Sequence, residues 1–460
     1  MRTSTLFVLS LALFSAVDLP GQGRGRRGRR SQPTTPPPPA AAPKKEEKPK
    51  EPKQHTAIVG GDVYIGTGQR LTGATVLIAD DKIEKVGHNL KLPEGTKVID
   101  AKGKTVSPGF VIVQGSGMGA GFRGPFKDSV NPFAPDIKQG LAAGITSFLA
   151  GSTSSRGRPG GSNAIIKLAY GDVEGMVLKE NSVVGISVPL DRSARDSLKS
   201  TIKAAKEYME AVDAYPALKA KDPKAASPKM PKGAEPILKV LKGKASLWVS
   251  PGGGGFNPFR RMMGGSVNAS DVASIREALE ISKMFGKGVV IQKPTSAWLI
   301  PDEIAATGSS VIISPRTRVP ADPKHPDDTG TNIASAAILA KAGVPVAVTC
   351  PSGMFGGGGV GTNGILGQDL NTPNVDAAYA VRGGLENRKA LRTLTLDAAN
   401  IMGAGDRIGS LEAGKDADIL ILDGDPLHYS TFVITAVVNG KVVYEKGKEA
   451  LYRHITRPKN

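Results

Sequence analysis

The sequence predicts an α/β fold, a (β/α)8 TIM barrel flanked by a small β-sandwich that both chain ends build. Three observations lead to this prediction. Short β-branched runs occur near both ends, strand and helix patterns alternate between them, and 460 residues with 40% hydrophobic content can bury a large core. The main competitor is a doubly wound open sheet, because strand periodicity alone does not exclude it.

The first 54 residues are predicted to precede the folded part. Residues 1–21 indicate a secretory signal peptide, since Arg2 supplies a positive start and residues 6–17 an apolar run too short to span a bilayer. Residues 22–54 are rich in Gly, Arg, Pro and Lys, which predicts a disordered basic linker. We therefore expect export to the periplasm or the cell exterior. No later apolar run is long enough for a transmembrane segment.

The next segment and the last one both indicate β structure. Alternating or β-branched runs occupy residues 57–59, 74–79, 82–86 and 97–100, and then 417–422, 433–438 and 441–444. Asn439-Gly440 is a hairpin-turn pair. Because two incomplete β pieces most simply complete one another, residues 55–107 and 406–452 are assigned to one composite β-sandwich, and residues 108–405 to the barrel.

Strands and helices alternate through this central region. The predicted strands are residues 110–113, 145–149, 164–168, 183–188, 245–249, 289–292, 310–314 and 344–350. The predicted helices include residues 198–214, 270–285, 332–342 and 388–400. For the second of these helices, Ser270 or Asn268 can act as the N-cap and Gly286 can end the helix.

Two sequence motifs resemble those of a known protein family. They are Gly103-Lys-Thr-Val-Ser-Pro-Gly-Phe-Val-Ile-Val-Gln-Gly-Ser116 and Asp406-Arg-Ile-Gly-Ser-Leu-Glu-Ala-Gly-Lys-Asp-Ala-Asp-Ile-Leu420. Together they resemble the amidohydrolase superfamily, in particular its imidazolonepropionase-like and cytosine-deaminase-like members, over roughly residues 56–446. The resemblance implies the barrel and sandwich, hydrolysis of C–N bonds other than peptide bonds, and one or two divalent metals, usually zinc, iron or nickel.

The metal ligands that the resemblance implies are absent from the matching positions. The superfamily has two histidines on the first barrel strand, histidines on the fifth and sixth, and an aspartate on the eighth. This chain has Gln114, Ser116, Ser250, Lys293 and Pro351 there. Only five histidines exist, and His325 alone falls in the barrel region, in a charged loop. We therefore expect no metal cofactor and predict a pseudoenzyme, because amides and hydroxyls replace imidazole poorly.

The loops after the barrel strands are instead rich in glycine and cations, on a chain with a formal net charge of +18. Ligands of TIM barrels meet these loops. The candidate anion-binding residues are Arg123, Arg156, Arg158, Arg260, Arg261, Lys293, Arg316 and Arg318. A carboxylate, phosphate or sulfated ligand would suit them. The simpler interpretation, solvated arginines on a basic protein, is favoured on general grounds.

Two other residues are weaker candidates for chemistry. Cys350 lies near a strand end, but without a neighbouring histidine a buried inert thiol is the favoured interpretation. Lys167 and Lys293 can act as bases if they are desolvated, although lysines near a barrel mouth are more often simply charged.

Three functions remain open from the sequence. The first is a catalytically degenerate amidohydrolase-fold protein that binds an anionic small molecule, an anionic polymer or a protein partner. The second is an active hydrolase with an atypical, metal-poor site. The third is a basic envelope-associated adaptor whose linker and loops bind anionic polymer; nucleic acid is a less favoured target of this linker in an exported protein.

Overall fold

The computed structural model of the protein describes residues 53–121, 125–153, 158–251, 271–350, 360–361 and 373–449. All of these residues belong to one unit, Pro52–Asn460. Within these ranges, no helix combines the length and the apolar character needed to cross a membrane. The predicted signal peptide and nearly all of the predicted linker lie outside the described residues.

The first five strands form from the β-branched runs that follow residue 54. They are β1 (His55–Tyr64), β2 (Arg70–Ala79), β3 (Lys82–Gly87), β4 (Lys97–Asp100) and β5 (Thr105–Pro108). Strand β1 pairs antiparallel with β2 and parallel with both β4 and β5. It thereby joins the N-terminal strands into one sheet.

The central region supplies all eight predicted strands, together with three short ones. They are β6 (Phe110–Ile112), β7 (Gly115–Ser116), β8 (Ile145–Ser152), β9 (Ser162–Lys167), β10 (Val177–Glu180), β11 (Val183–Val188), β12 (Ser246–Pro251), β13 (Val290–Gln292), β14 (Ser310–Ile313), β15 (Val346–Val348) and β16 (Val360–Gly361). Strands β11–β15 form a parallel sheet in chain order, and β6 is parallel to β8.

One buried cluster receives a side chain from each of the eight predicted strands. Its strand members are Val111, Leu149, Ile165, Val183, Trp248, Val290, Ile312 and Ala347. Alternate residues of the same strands, such as Ile186 and Val249, belong to a second cluster that includes helix residues. Inward and outward alternation of this kind is typical of a TIM-barrel-type fold, in which strands surround a packed interior and helices cover the outside.

The third of these strands departs from the prediction, because β9 is antiparallel to β8 over Ser147–Ser152. A bridge between Gly160 and Gly185 is antiparallel as well, and it brings the start of this segment beside β11. The expectation of eight parallel strands is therefore wrong at this position. The physical reason is the short connection from β8 to β9, which has no room for the crossover helix that a parallel pair needs.

Helices follow most of the parallel strands. They are α1 (Pro135–Ala142), α2 (Arg192–Lys221), α3 (Glu235–Leu241), α4 (Val272–Phe285), α5 (Pro301–Ala306), α6 (Ser335–Lys341), α7 (Pro373–Arg382), α8 (Asn387–Thr393) and α9 (Leu396–Ile401). Gly286 ends α4 in the left-handed region with φ 66°, as predicted. The proposed caps Ser270 and Asn268 lie outside the described residues.

The predicted helix 388–400 is two helices, α8 and α9, so that prediction is wrong. Thr395 breaks the path with φ −128° and ψ −99°. The Leu394 carbonyl accepts a 2.7 Å hydrogen bond from the Val111 amide, and the Thr395 hydroxyl donates to the Leu391 carbonyl at 2.9 Å. The break therefore ties this helical pair to β6, which a helical sequence pattern does not reveal.

The last strands are β17 (Ile419–Leu422), β18 (Val433–Val438) and β19 (Lys441–Glu445). The Asn439-Gly440 turn joins β18 to β19, and both of its residues have positive φ, as a two-residue hairpin turn requires. Strand β17 pairs antiparallel with β5. The two ends of the chain thus share one eight-stranded sheet, in the order β19-β18-β17-β5-β1-β2-β3 with β4 beside β1.

Candidate functional site

The positions that match the superfamily's metal ligands lie after, or at the end of, parallel strands. Gln114 follows β6 and Ser116 is in β7, which pairs with β16. Ser250 is near the end of β12, and Lys293 directly follows β13. Because the carboxyl ends of parallel strands meet at one edge, these side chains belong to the same end of the barrel. Pro351 lies outside the described residues.

The donors at this end do not suit a zinc-type centre. They are an amide, two hydroxyls and an amine, whereas zinc, iron and nickel favour imidazole, thiolate and carboxylate. His55 and His428 contact Glu84 and Ser430 in the terminal β region. The backbone of His325 forms an isolated antiparallel β-bridge with that of Asp322. In the part of the chain that the structure describes, no three His, Cys, Asp or Glu side chains are grouped as a metal site.

Lys293 has an unusual backbone conformation for its type. Its φ is 49°, in the left-handed region that residues other than glycine, asparagine and aspartate seldom adopt. Its amide donates to the Ile312 carbonyl at 2.8 Å, which anchors the residue to β14. The side chain is partly buried, and burial lowers the pKa of its ammonium, an effect that the nearby Cys350 partly opposes.

Arg316 and Asp376 form an ion pair beside Lys293 and Cys350. The guanidinium donates from Nε to Oδ1 at 2.8 Å and from Nη2 to Oδ2 at 2.9 Å, and the Asp376 side chain is fully buried. This hydrogen bonding raises the pKa of Arg316. Burial and the Asp376 carboxylate raise the pKa of Cys350, so its thiol stays protonated. We call Lys293, Arg316, Cys350 and Asp376 the mouth cluster.

Asp376, whose carboxylate binds Arg316, was not among the residues that the sequence indicated. The residue lies on the buried face of the alanine-containing helix α7, with Ala377 and Ala380. A carboxylate among small residues on an apolar face was the available signal, because an acidic side chain is seldom buried without a partner. The Nε and Nη2 groups of Arg316 are thus already hydrogen-bonded to Asp376 when no ligand is bound.

The other proposed cations are divided between exposed and undescribed positions. Arg158 and Arg318 are exposed to solvent, as the simpler interpretation of a basic surface expects. The remaining arginines, Arg123, Arg156, Arg260 and Arg261, lie outside the described residues. Among the described residues, the candidate anion site at the mouth of the barrel therefore consists of Lys293 and Arg316.

Lys167, a weaker candidate base, lies in a different environment. Its ammonium contacts Asp416 Oδ2 and Asp418 Oδ1 at 2.9 Å each, and it also donates to Asn439. Arg407 forms a two-pronged pair with Asp416 at 2.8 and 2.9 Å. These contacts connect β9 with the segment that leads into β17. We call Lys167, Arg407, Asp416 and Asp418 the junction cluster.

The junction carboxylates have opposite pKa shifts. Burial works to raise the pKa of Asp416, but Arg407, Lys167 and Lys82 together hold it well below its usual range. For Asp418 burial prevails and the pKa is raised, with Lys167 opposing part of the shift. Such a buried, compensated network connects parts of the structure, and its lysine is not available as a base.

The eight-strand interior and the covering helices define a TIM-barrel-type fold with its ligand end at β6, β12 and β13. An amidohydrolase from Thermotoga maritima MSB8 has the same fold, with a TM-score of 0.62 and 23% identity over 85% of this chain and 100% of that one. The Amidohydrolase family model matches residues 275–449. These matches support the resemblance to the amidohydrolase superfamily that the two sequence motifs indicated.

Curated relatives match over shorter stretches. An imidazolonepropionase of Thermoplasma volcanium is 27% identical over 161 residues, 32% of this chain and 33% of the relative. An imidazolonepropionase of Syntrophobacter fumaroxidans is 54% identical over 41 residues, 9% of this chain and 10% of the relative. The chain thus spans about a third or less of each of these relatives.

Proposed function

We propose that this protein is an amidohydrolase-fold binding protein, in which the mouth of the barrel takes an anionic small molecule and does not perform metal-dependent hydrolysis. One observation carries the proposal: a partly buried lysine, Lys293, stands where the superfamily has a histidine ligand. Its fixed positive charge supplies at this place what a metal ion supplies elsewhere in the superfamily.

Burial gives Lys293 a reason to bind an anion. Removing an ammonium from water destabilises its charged form, which is why its pKa is lowered. An anionic group at hydrogen-bond distance offsets that cost, because it favours the charged form. Arg316 also interacts with Cys350, and its guanidinium is already oriented by Asp376. Lysine as a point charge and arginine as an oriented fork suit a carboxylate or a phosphate.

The proton balance gives the proposal a pH dependence. A bound anion raises the pKa of Lys293, so at a pH above its lowered pKa in the ligand-free protein binding takes up a proton. Affinity should therefore be highest at a pH below that lowered pKa and fall as the pH rises through it. The ordinary lysine value of 10.5 marks the upper end of this window.

Titration of the full chain with small carboxylates and phosphates, followed by calorimetry, tests the binding function. We expect Lys293→Met to lower the affinity at least tenfold. Lys324→Met, which removes the same charge from an exposed loop, should leave it within a factor of two. Equal affinity in the wild type and Lys293→Met would overturn the mouth as the binding site.

The active hydrolase and the basic adaptor each predict a different experimental result. Purified protein that contains stoichiometric zinc, iron or nickel and turns over amides or lactams is an active hydrolase, and the binding proposal then fails. Loss of polymer binding only on deletion of residues 22–54 identifies the basic adaptor. The alanine variants of Arg260 and Arg261, which lie outside the described residues, extend the test to the neighbouring loop.

A further inference from the structure

A cavity lies at the opposite end of the barrel strands from the mouth. Its volume is about 420 Å³. It is lined where the strands begin, by Ser246 of β12, Val290 of β13 and Ser310 of β14, and by Ile401 at the end of α9. Ligand sites of TIM-barrel enzymes lie at the other end. The cavity is therefore separate from the mouth cluster.

The charges around this cavity are unbalanced. Within the described lining, three side chains are basic, Lys179, Lys287 and Arg392, and one is acidic, Asp397. Lys179 donates to the Gly403 carbonyl at 3.0 Å, and Lys287 donates to the Leu241 carbonyl at 2.8 Å. Lys287 also donates to the Val240 carbonyl at 3.2 Å. Backbone carbonyls orient these two charges without neutralising them.

Arg392 adds a donor with a specific direction. Its Nη2 donates to Asp397 Oδ1 at 2.6 Å, which fixes the guanidinium at the cavity wall. Its buried Nε has no hydrogen-bond acceptor among the described residues. The Arg392 side chain as a whole is 35% exposed, so it can also contact a ligand at the cavity wall.

Glycines keep the lining close to these groups. At Gly288 a Cβ atom would come within 2.0 Å of the Gly308 carbonyl oxygen, so only glycine fits there. At Gly403 it would lie 3.3 Å from Ser246 Oγ and 3.6 Å from Lys179 Nζ. Gly403 also has φ 74°, a conformation that favours glycine. The backbone therefore leaves room beside a hydroxyl and an ammonium.

We propose that this cavity binds a small oxyanion, the phosphate or carboxylate group of a soluble metabolite, through Lys179 and Lys287, with Arg392 at the cavity wall. Two ammonium groups and an oriented guanidinium suit such a group. The volume is in the range of small-molecule sites in proteins, about 300–1,000 Å³. This binding is independent of the function proposed for the mouth.

Calorimetric titration of the full chain at constant ionic strength tests the proposal, with inorganic phosphate in one arm and malonate in the other. We expect saturable binding of at least one of them, and the preferred arm identifies the oxyanion. The double variant Lys179→Met and Lys287→Met should lose at least tenfold in affinity. The matched control, Lys242→Met and Lys244→Met, removes two exposed charges beside the cavity and should stay within a factor of two.

Two further variants keep the result decisive. Ser246→Leu fills the cavity without changing its charge, and it should also weaken binding tenfold or more if the double variant does not fold. If the mouth binds the probe as well, the wild type has two binding events, and Lys293→Met should keep the one that the double variant loses. No binding to the wild type, equal losses in the matched control, or the absence of a binding event that only the cavity variants remove would overturn the proposal, whatever Lys293→Met does at the mouth.

Discussion

The junction cluster and the mouth cluster contain the same kinds of side chain, but their buried lysines have different surroundings. At the junction, Lys167 is enclosed by two carboxylates at 2.9 Å and its side chain is 1% exposed. At the mouth, burial lowers the pKa of Lys293, an effect that Cys350 partly opposes, and Asp376 is hydrogen-bonded to Arg316. A buried lysine whose charge is balanced by neighbouring carboxylates stabilises the fold. A lysine whose charge burial disfavours can respond to a ligand.

The largest effect should come from breaking the junction. Lys167→Met leaves Asp416 and Asp418 buried without their shared ammonium, so we expect a loss of about 3–5 kcal/mol in the free energy of unfolding. Urea denaturation measures it. The control Lys441→Met removes an exposed pair with Asp172 and should cost less than about 1 kcal/mol. Similar small losses in both variants would mean that the junction does not stabilise the fold.

The ion pair at the mouth should give an intermediate effect. Arg316→Met removes two hydrogen bonds from the fully buried Asp376 carboxylate, and we expect a loss of about 2 kcal/mol. Adding Asp376→Ala should restore part of that loss, because the buried charge goes with it. Additive losses in the double variant, measured by the same denaturation, would show that the two residues do not act as a pair.

Lys293→Met should give the smallest effect and the opposite sign. Burial disfavours the folded ammonium, so methionine should stabilise the protein by about 0.5–1 kcal/mol at neutral pH. A lysine with a lowered folded-state pKa destabilises the fold fully below that value, and the penalty disappears as the pH rises towards 10.5. Thermal melts from pH 7 to 10.5 should therefore converge for the two proteins. A variant less stable than wild type at pH 7 would make Lys293 structural.

Much of the fold was predictable because buried strands carry β-branched side chains. The eight central strands and the hairpin at Asn439-Gly440 lie where the sequence places them. The direction of β9 was not predictable, since side-chain alternation is the same in parallel and antiparallel strands. Nor was the break at Thr395, because a contact with β6 from a distant part of the chain decides it.

The candidate site was predictable in position and less so in its charges. The strand-end residues Gln114, Ser250 and Lys293 follow from the motif alignment alone. The pairing of Arg316 was missed because its partner, Asp376, is contributed by a helix about 60 residues later. Lys167 was misplaced among possible bases, since no local pattern shows that Asp416 and Asp418 lie around it.

The pairing of β5 with β17 has a consequence for the growing chain. During synthesis, which adds about 5–20 residues per second, the edge of β5 emerges long before β17 exists to cover it. An uncovered strand edge is a template for association with another chain. The sheet can be completed only after the whole barrel has left the ribosome. Completion of the sheet therefore waits for β17, and until then the edge of β5 is open to pairing with another chain.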